Sequence, residues 1–230
     1  MRNPTLLLVK DELWGFAKSK VMLVLWLILP AVAILGFFVL PSGLTMRGSM
    51  GNQLSATAFM SLLESSIAGT VAALMVAVDI VSEKNRKVYE LYVIRPIKRH
   101  AIIVAKFVAV FACVAVACLV SLLLGIGVDW IRGEPLSGPM IYDAFKALVS
   151  LTAVIGLSAG VGVFFGVTSK TILVAVILIL YVGQNLAVVP MLPMYLGILP
   201  QQFWIFMLIS AALVAVLLWA SAALFKRSEF

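Results

Sequence analysis

Residues 21–40 read VMLVLWLILPAVAILGFFVL, twenty positions without a single charge. A helix needs about 20 mostly apolar residues to cross the roughly 30 Å hydrocarbon core of a bilayer, so this stretch is long enough for one crossing. The pattern recurs. Leu54 to Val81 is a second apolar run, interrupted by Glu64 and Asp79; Ala101 to Val128, Ile141 to Gly166, Thr171 to Val189 and Phe203 to Phe225 follow. These six runs predict six transmembrane helices, spans one to six, over residues 21–40, 54–81, 101–128, 141–166, 171–189 and 203–225. Helices are expected rather than barrel strands. Barrel segments are about 10 residues of alternating polarity, whereas these runs are long and continuous, and a helix satisfies its backbone polar groups within itself.

Composition points to the same class. With 63% hydrophobic and 12% charged residues and a mean hydropathy of +1.16, a chain of this length has more apolar surface than a soluble fold can hide. The expected fold is all-α: a single polytopic transmembrane domain over residues 1–230. Orientation follows from the 17 Lys and Arg residues, because short cytoplasmic loops carry the excess of positive charge. With both termini inside, 14 of them fall on the cytoplasmic side and only Arg47, Arg132 and Lys146 outside. Charge gathered on one face of a membrane is explained by topology and anionic lipid, so the net charge of +7 does not call for nucleic acid as a partner.

Asn3 to Lys20 repeats Leu6, Val9, Leu13 and Phe16 at spacings of three or four, with Lys10, Lys18 and Lys20 among them. That is the pattern of an amphipathic helix lying on the inner membrane surface, residues 1–20. It does not read as a cleavable signal. The apolar run starts late, has full span length, and is followed by Pro41, Ser42 and Gly43 rather than a small-residue cleavage site. Cys113 and Cys118 lie inside span three on different helix faces and lack the four close ligands of a structural zinc site. Gly156-Leu157-Ser158-Ala159-Gly160 matches the G-x-S-x-G nucleophile pattern, but that elbow needs a strand-to-helix turn and a neighbouring base. Here the serine is mid-helix and the single His100 lies in another segment. Gly156, Gly160, Gly162 and Gly166 read instead as a close-packing face.

Two places carry functional expectations. Glu64, beside Ser61, Ser65 and Ser66 in span two, is an acid inside the hydrocarbon region. Such a group costs about 2.5 to 3.5 kcal/mol on insertion scales, so it should face protein or water. It is expected to line a pathway or subunit interface, with Gln184 or Asn185 of span five as hydrogen-bond partners. The second place is the cytoplasmic loop 82–100. Val88, Tyr89, Leu91 and Tyr92 form an apolar stripe among Lys84, Arg86, Lys87 and Glu90 before Pro96 ends the helix. An exposed stripe with two tyrosines suits docking on a partner or the membrane. The outer connections, near 41–53, 129–140 and 190–202, are too short for a substrate-capturing domain. Substrate is therefore met within the membrane, and apolar walls favour a lipid, hydrophobic peptide or drug-like molecule.

This layout resembles the permease subunits of ABC-2-type transporters, which have an N-terminal interfacial helix, six spans and a charged loop after the second. Glu83, Glu90, Leu91, Pro96, Arg99 and Lys106 fall where the family loop has its acids, leucine, proline, arginine and the lysine that opens span three. Lys87, Val88 and Tyr89 stand where Gly, Thr and Leu are common. The resemblance implies a transporter in which a separate cytoplasmic ABC ATPase binds ATP and Mg, while this chain binds no cofactor and catalyses nothing. It implies docking of the ATPase on the loop through Glu83, Val88, Tyr89, Glu90, Leu91, Tyr92, Pro96 and Arg99. It further implies pairing with a second permease subunit across spans two and five, and a place in the inner membrane of a bacterial or archaeal cell. Independently of the resemblance, no G-x-x-x-x-G-K-[ST] phosphate loop occurs in the chain. The alternative from another class is an ion-coupled secondary transporter using Glu64.

Overall fold

A proline at the first helical position gives up no hydrogen bond, because the N–H it lacks would be unpaired there in any case. Pro4 opens the first helix, α1 (Pro4–Ala17), and Pro200 opens the last, α8 (Pro200–Arg227). The structure is a computed structural model; it describes residues 4–39, 46–47, 53–54, 56–86, 99–131, 138–192 and 200–227. Between those two helices lie α2 (Lys20–Val39), α3 (Ala56–Asn85), α4 (Arg99–Ile131), α5 (Gly138–Thr168), α6 (Ile172–Leu178) and α7 (Gln184–Ala187). A π-helical turn, Ile179–Gly183, joins α6 to α7. Among the described residues the only strands are a two-residue antiparallel ladder, Met46–Arg47 (β1) with Gln53–Leu54 (β2).

Among the described residues five helical spans, Leu63–Asn85, His100–Gly127, Ala144–Thr168, Ile172–Met191 and Phe203–Lys226, are each long and apolar enough to cross a membrane. The count becomes six when Leu7–Ala17 and Lys20–Val32 are taken as one span bent by 64°. The bend has a local cause. Ser19 ends the first helix and caps the second, its Oγ accepting from Met22 N at 3.1 Å, which satisfies an otherwise unpaired helix-start donor. The all-α polytopic fold expected from the sequence is the fold observed.

Lipid tails are as apolar as leucine, so membrane helices associate by close packing rather than by the hydrophobic effect. The most extensive interface joins α3 to α5, and small residues recur every fourth position on both sides: Gly69, Ala73 and Ala77 against Ser158, Gly162 and Gly166. The backbones nearly touch. A Cβ added at Gly162 would lie 2.3 Å from the Ala73 carbonyl oxygen, and one at Gly166 would lie 3.0 Å from Ala77 Cα. Gly156 and Gly160 face the other way, toward Phe111, Val214 and Leu217 of α4 and α8. One glycine set thus serves two interfaces and makes α5 the central helix. A buried cluster from α1, α2, α3, α4, α5 and Phe225 of α8 fills the rest of the bundle.

Candidate functional site

Lys106 is the most deeply buried ion in the described structure, with a side chain 1% exposed. It sits seven residues into α4, about 10 Å along the axis at 1.5 Å per residue. An ammonium offers three protons. Lys106 Nζ directs them at three carboxylates: Glu12 Oε1 at 3.1 Å, Glu83 Oε1 at 2.9 Å and Asp79 Oδ2. Asp79 and Glu83 are four residues apart on α3 and therefore share a face. Glu12 comes from α1, where Leu8 and Phe16, one turn to either side, are buried in the main core. Glu83 Oε2 is buried without a hydrogen-bond partner among the described residues. One cation therefore ties α1 to the ends of α3 and α4 that flank the 86–98 segment. Beside it, Lys84 Nζ donates to Val167 O at 3.2 Å, binding α3 to the C-terminal end of α5.

Glu64 is 2% exposed, flanked by buried Ser61 and Ser65. Its Oε1 lies 2.9 Å from Ser121 Oγ, which in turn lies 3.2 Å from the Leu29 carbonyl oxygen. The chain of contacts links α3, α4 and α2. The expected partners are elsewhere: Gln184 Nε2 donates to Thr70 Oγ1, which donates to Ser66 O at 2.7 Å, and Asn185 Nδ2 donates to its own helix at Tyr181 O, 2.6 Å away. Glu64 and Thr70 are six residues apart, a rotation of about 240° on a helix of 3.6 residues per turn. They cannot both face span five. The Gln184 contact lies beside the π-helical turn, at a cavity of about 10 Å³ lined by Thr70, Ala73, Ser158 and Gly183 among others, room for about one water. Ser158 packs against Gly69 inside α5, with no strand or turn about it.

Of the residues expected to dock a partner, Glu83 is described and is turned into the Lys106 cluster. Val88, Tyr89, Glu90, Leu91, Tyr92 and Pro96 lie outside the described residues, as does the side chain of Arg99. Sequence reading singled out neither Asp79 nor Glu12. The available signal was the four-residue spacing of Asp79 and Glu83 on a helix that must otherwise be apolar. Glu12 offered a second clue, on the face that buries Leu8 and Phe16.

Residues 47–222 match the model of a family described as ABC-2 family transporter protein. The matched stretch begins after α1 and α2, so it holds Asp79, Glu83 and Lys106 but not Glu12. No curated protein matches the chain.

Proposed function

The chain belongs to the ABC-2 transporter family and is a membrane permease subunit, and from that premise we propose that it exports an apolar or amphiphilic cargo, driven by a separate ATPase docked on residues 82–100. The Lys106 cluster carries this reading. Its carboxylates bind α1 to the two helix ends on either side of that segment, so a push on the segment moves α1, α3 and α4 together. Tyr89, Leu91 and Tyr92 are the anchors of the docking surface, with Val88, Glu90, Pro96 and Arg99 around them. Glu83 acts from within the cluster, passing the motion inward rather than meeting the ATPase directly. ATP and Mg belong to the ATPase. A second permease subunit completes the pathway, held against the outward faces of spans two and five, where Ile67, Leu173 and Tyr181 are exposed. The cytoplasmic side is the one holding both termini and most of the Lys and Arg residues, in the inner membrane of a bacterial or archaeal cell. Lipids, hydrophobic peptides and drug-like molecules suit apolar walls with few charges.

The test replaces Tyr89 and Tyr92 with Ala, confirms membrane insertion, and measures ATPase copurification and transport-coupled ATP hydrolysis. Central aromatic anchors are worth about 2 kcal/mol or more each, so a loss of association of roughly thirtyfold is expected. Unchanged association with unchanged coupling would remove the segment from the mechanism.

A further inference from the structure

The basic end of the bundle holds two basic side chains, an ammonium and an imidazole, that the described ion pairs do not use. Lys106 is held by three carboxylates, and Lys84 reaches a backbone carbonyl. His100 and Lys226 instead line a groove of about 870 Å³ between the start of α4 and the end of α8, within the size range of sites that take a lipid- or drug-sized molecule. Among the described residues no carboxylate lines it. Its floor is Val104, Leu218, Ala222 and Ala223, and Trp219 stands at its side, 75% exposed.

The order of these residues along the helices matters more than their identity. On α8, Leu218, Ala222 and Lys226 follow at intervals of four, and on α4 His100 and Val104 do the same, so each set forms one stripe. The two helices run in opposite directions through the bundle, and both stripes pass from apolar to basic toward the same end. The two alanines leave a trough where larger side chains would fill the space. The result is a channel with an apolar length and a cationic mouth, the complement of an amphiphile with one anionic head. A second copy of this chain fits it poorly. A symmetric contact would set the Lys226 of each groove against that of the other, and like charges facing each other in a low dielectric repel.

We propose that this groove binds an anionic phospholipid of the adjacent leaflet, its phosphate at Lys226 and His100 and one acyl chain along Leu218, Ala222 and Val104. Trp219 lies against the chain and reports on it. The proposal stands apart from the identity of the ATPase and of the cargo.

The experiment places the full chain in lipid nanodiscs containing brominated phosphatidylglycerol or brominated phosphatidylcholine at increasing mole fraction. Quenching of Trp219 is taken as the difference between the chain and its Trp219→Phe variant. A membrane-surface lysine favours an anionic lipid by about fivefold, so phosphatidylglycerol should half-quench Trp219 at roughly one fifth the mole fraction of phosphatidylcholine. The joint change Lys226→Gln and His100→Gln should abolish that preference. Ala222→Leu, which fills the floor, should weaken quenching by phosphatidylglycerol while leaving Lys226 and His100 in place. All three positions lie at the bundle surface, and unchanged elution and unfolding midpoints confirm the fold of each variant. Equal quenching by both lipids in the unsubstituted chain would overturn the proposal, as would a preference that survives loss of both basic side chains. Absence of quenching by either lipid would show that protein covers the groove and would overturn it equally.

Discussion

Gly162→Ala adds one methyl group where α5 meets α3. An ordinary contact needs about 3.4 Å, and the new Cβ would stand 2.3 Å from Ala73 O, so the helices must part by 3.4 − 2.3 = 1.1 Å. The obstructing atoms, Ala73 O, Cα and C, are backbone and cannot swing aside as a side chain would. Separation of that order on a van der Waals contact forfeits a quarter to a half of its attraction, and here the loss spreads along the interface. Overpacking of this kind costs about 1 to 3 kcal/mol, and a rigid backbone obstacle puts Gly162→Ala near 3 kcal/mol. Against this, Ala improves the helix itself by roughly 0.5 to 1 kcal/mol. The net loss is about 2 kcal/mol. Gly127→Ala is the internal control, since nothing lies within 4 Å of its Cβ, and it should be neutral or stabilising. Gly166→Ala, with its nearest contact at 3.0 Å, should fall between. The assay is unfolding by sodium dodecyl sulfate in mixed micelles, followed by tryptophan fluorescence. If Gly162→Ala unfolds at the same detergent fraction as Gly127→Ala, the close-packed ladder does not hold the bundle together.

Three further outcomes follow from the polar contacts and the charge distribution. Lys106→Met leaves three carboxylates facing one another; because they keep 15 to 32% exposure, the loss should be about 2 kcal/mol, below the roughly 3 to 5 of a fully buried pair. Trypsin cleavage at Lys10 should rise, and adding Asp79→Asn with Glu83→Gln should reverse it; no change on Lys106→Met would show that the cluster does not hold α1. Glu64→Gln keeps a polar link to Ser121 and should be tolerated in stability and transport, whereas Glu64→Leu should lose about 1 kcal/mol by the same unfolding assay. Equal tolerance of both would leave Glu64 without a role as an interhelical tie. Single cysteines at Ser42, Ser137, Asn85 and Ser228, in a chain lacking Cys113 and Cys118, should react with an impermeant reagent from outside only at Ser42 and Ser137. Labelling of Asn85 from outside would reverse the orientation.

The membrane class and the helical state were legible in the sequence, because each depends on local runs. Residues 101–128 carry no charge except Lys106, and α4 spans Arg99–Ile131. The small-residue face of span four was legible as well, although its division between two neighbours was not. Gly162 and Gly166 meet α3 while Gly156 and Gly160 meet α4 and α8, and spacing alone does not say which neighbour lies on which side.

The polar residues divide along the same line. Sequence placed Glu64 inside the hydrocarbon, where it needs protein or water around it, and gathered the basic residues at one end of the chain's crossings. Only the tertiary structure decided that Glu64 meets Ser121 and that Gln184 meets Thr70. It also decided that Lys106, read as the opening of span three, draws Glu12, Asp79 and Glu83 together across up to 94 residues of chain. The physical reason is rotational. A helix's own sequence sets which residues share a face, but in lipid no hydrophobic drive turns that face inward. The rotation of each helix against its neighbours is settled by the close contacts of glycine, alanine and serine, and the ion and hydrogen-bond partners follow from it.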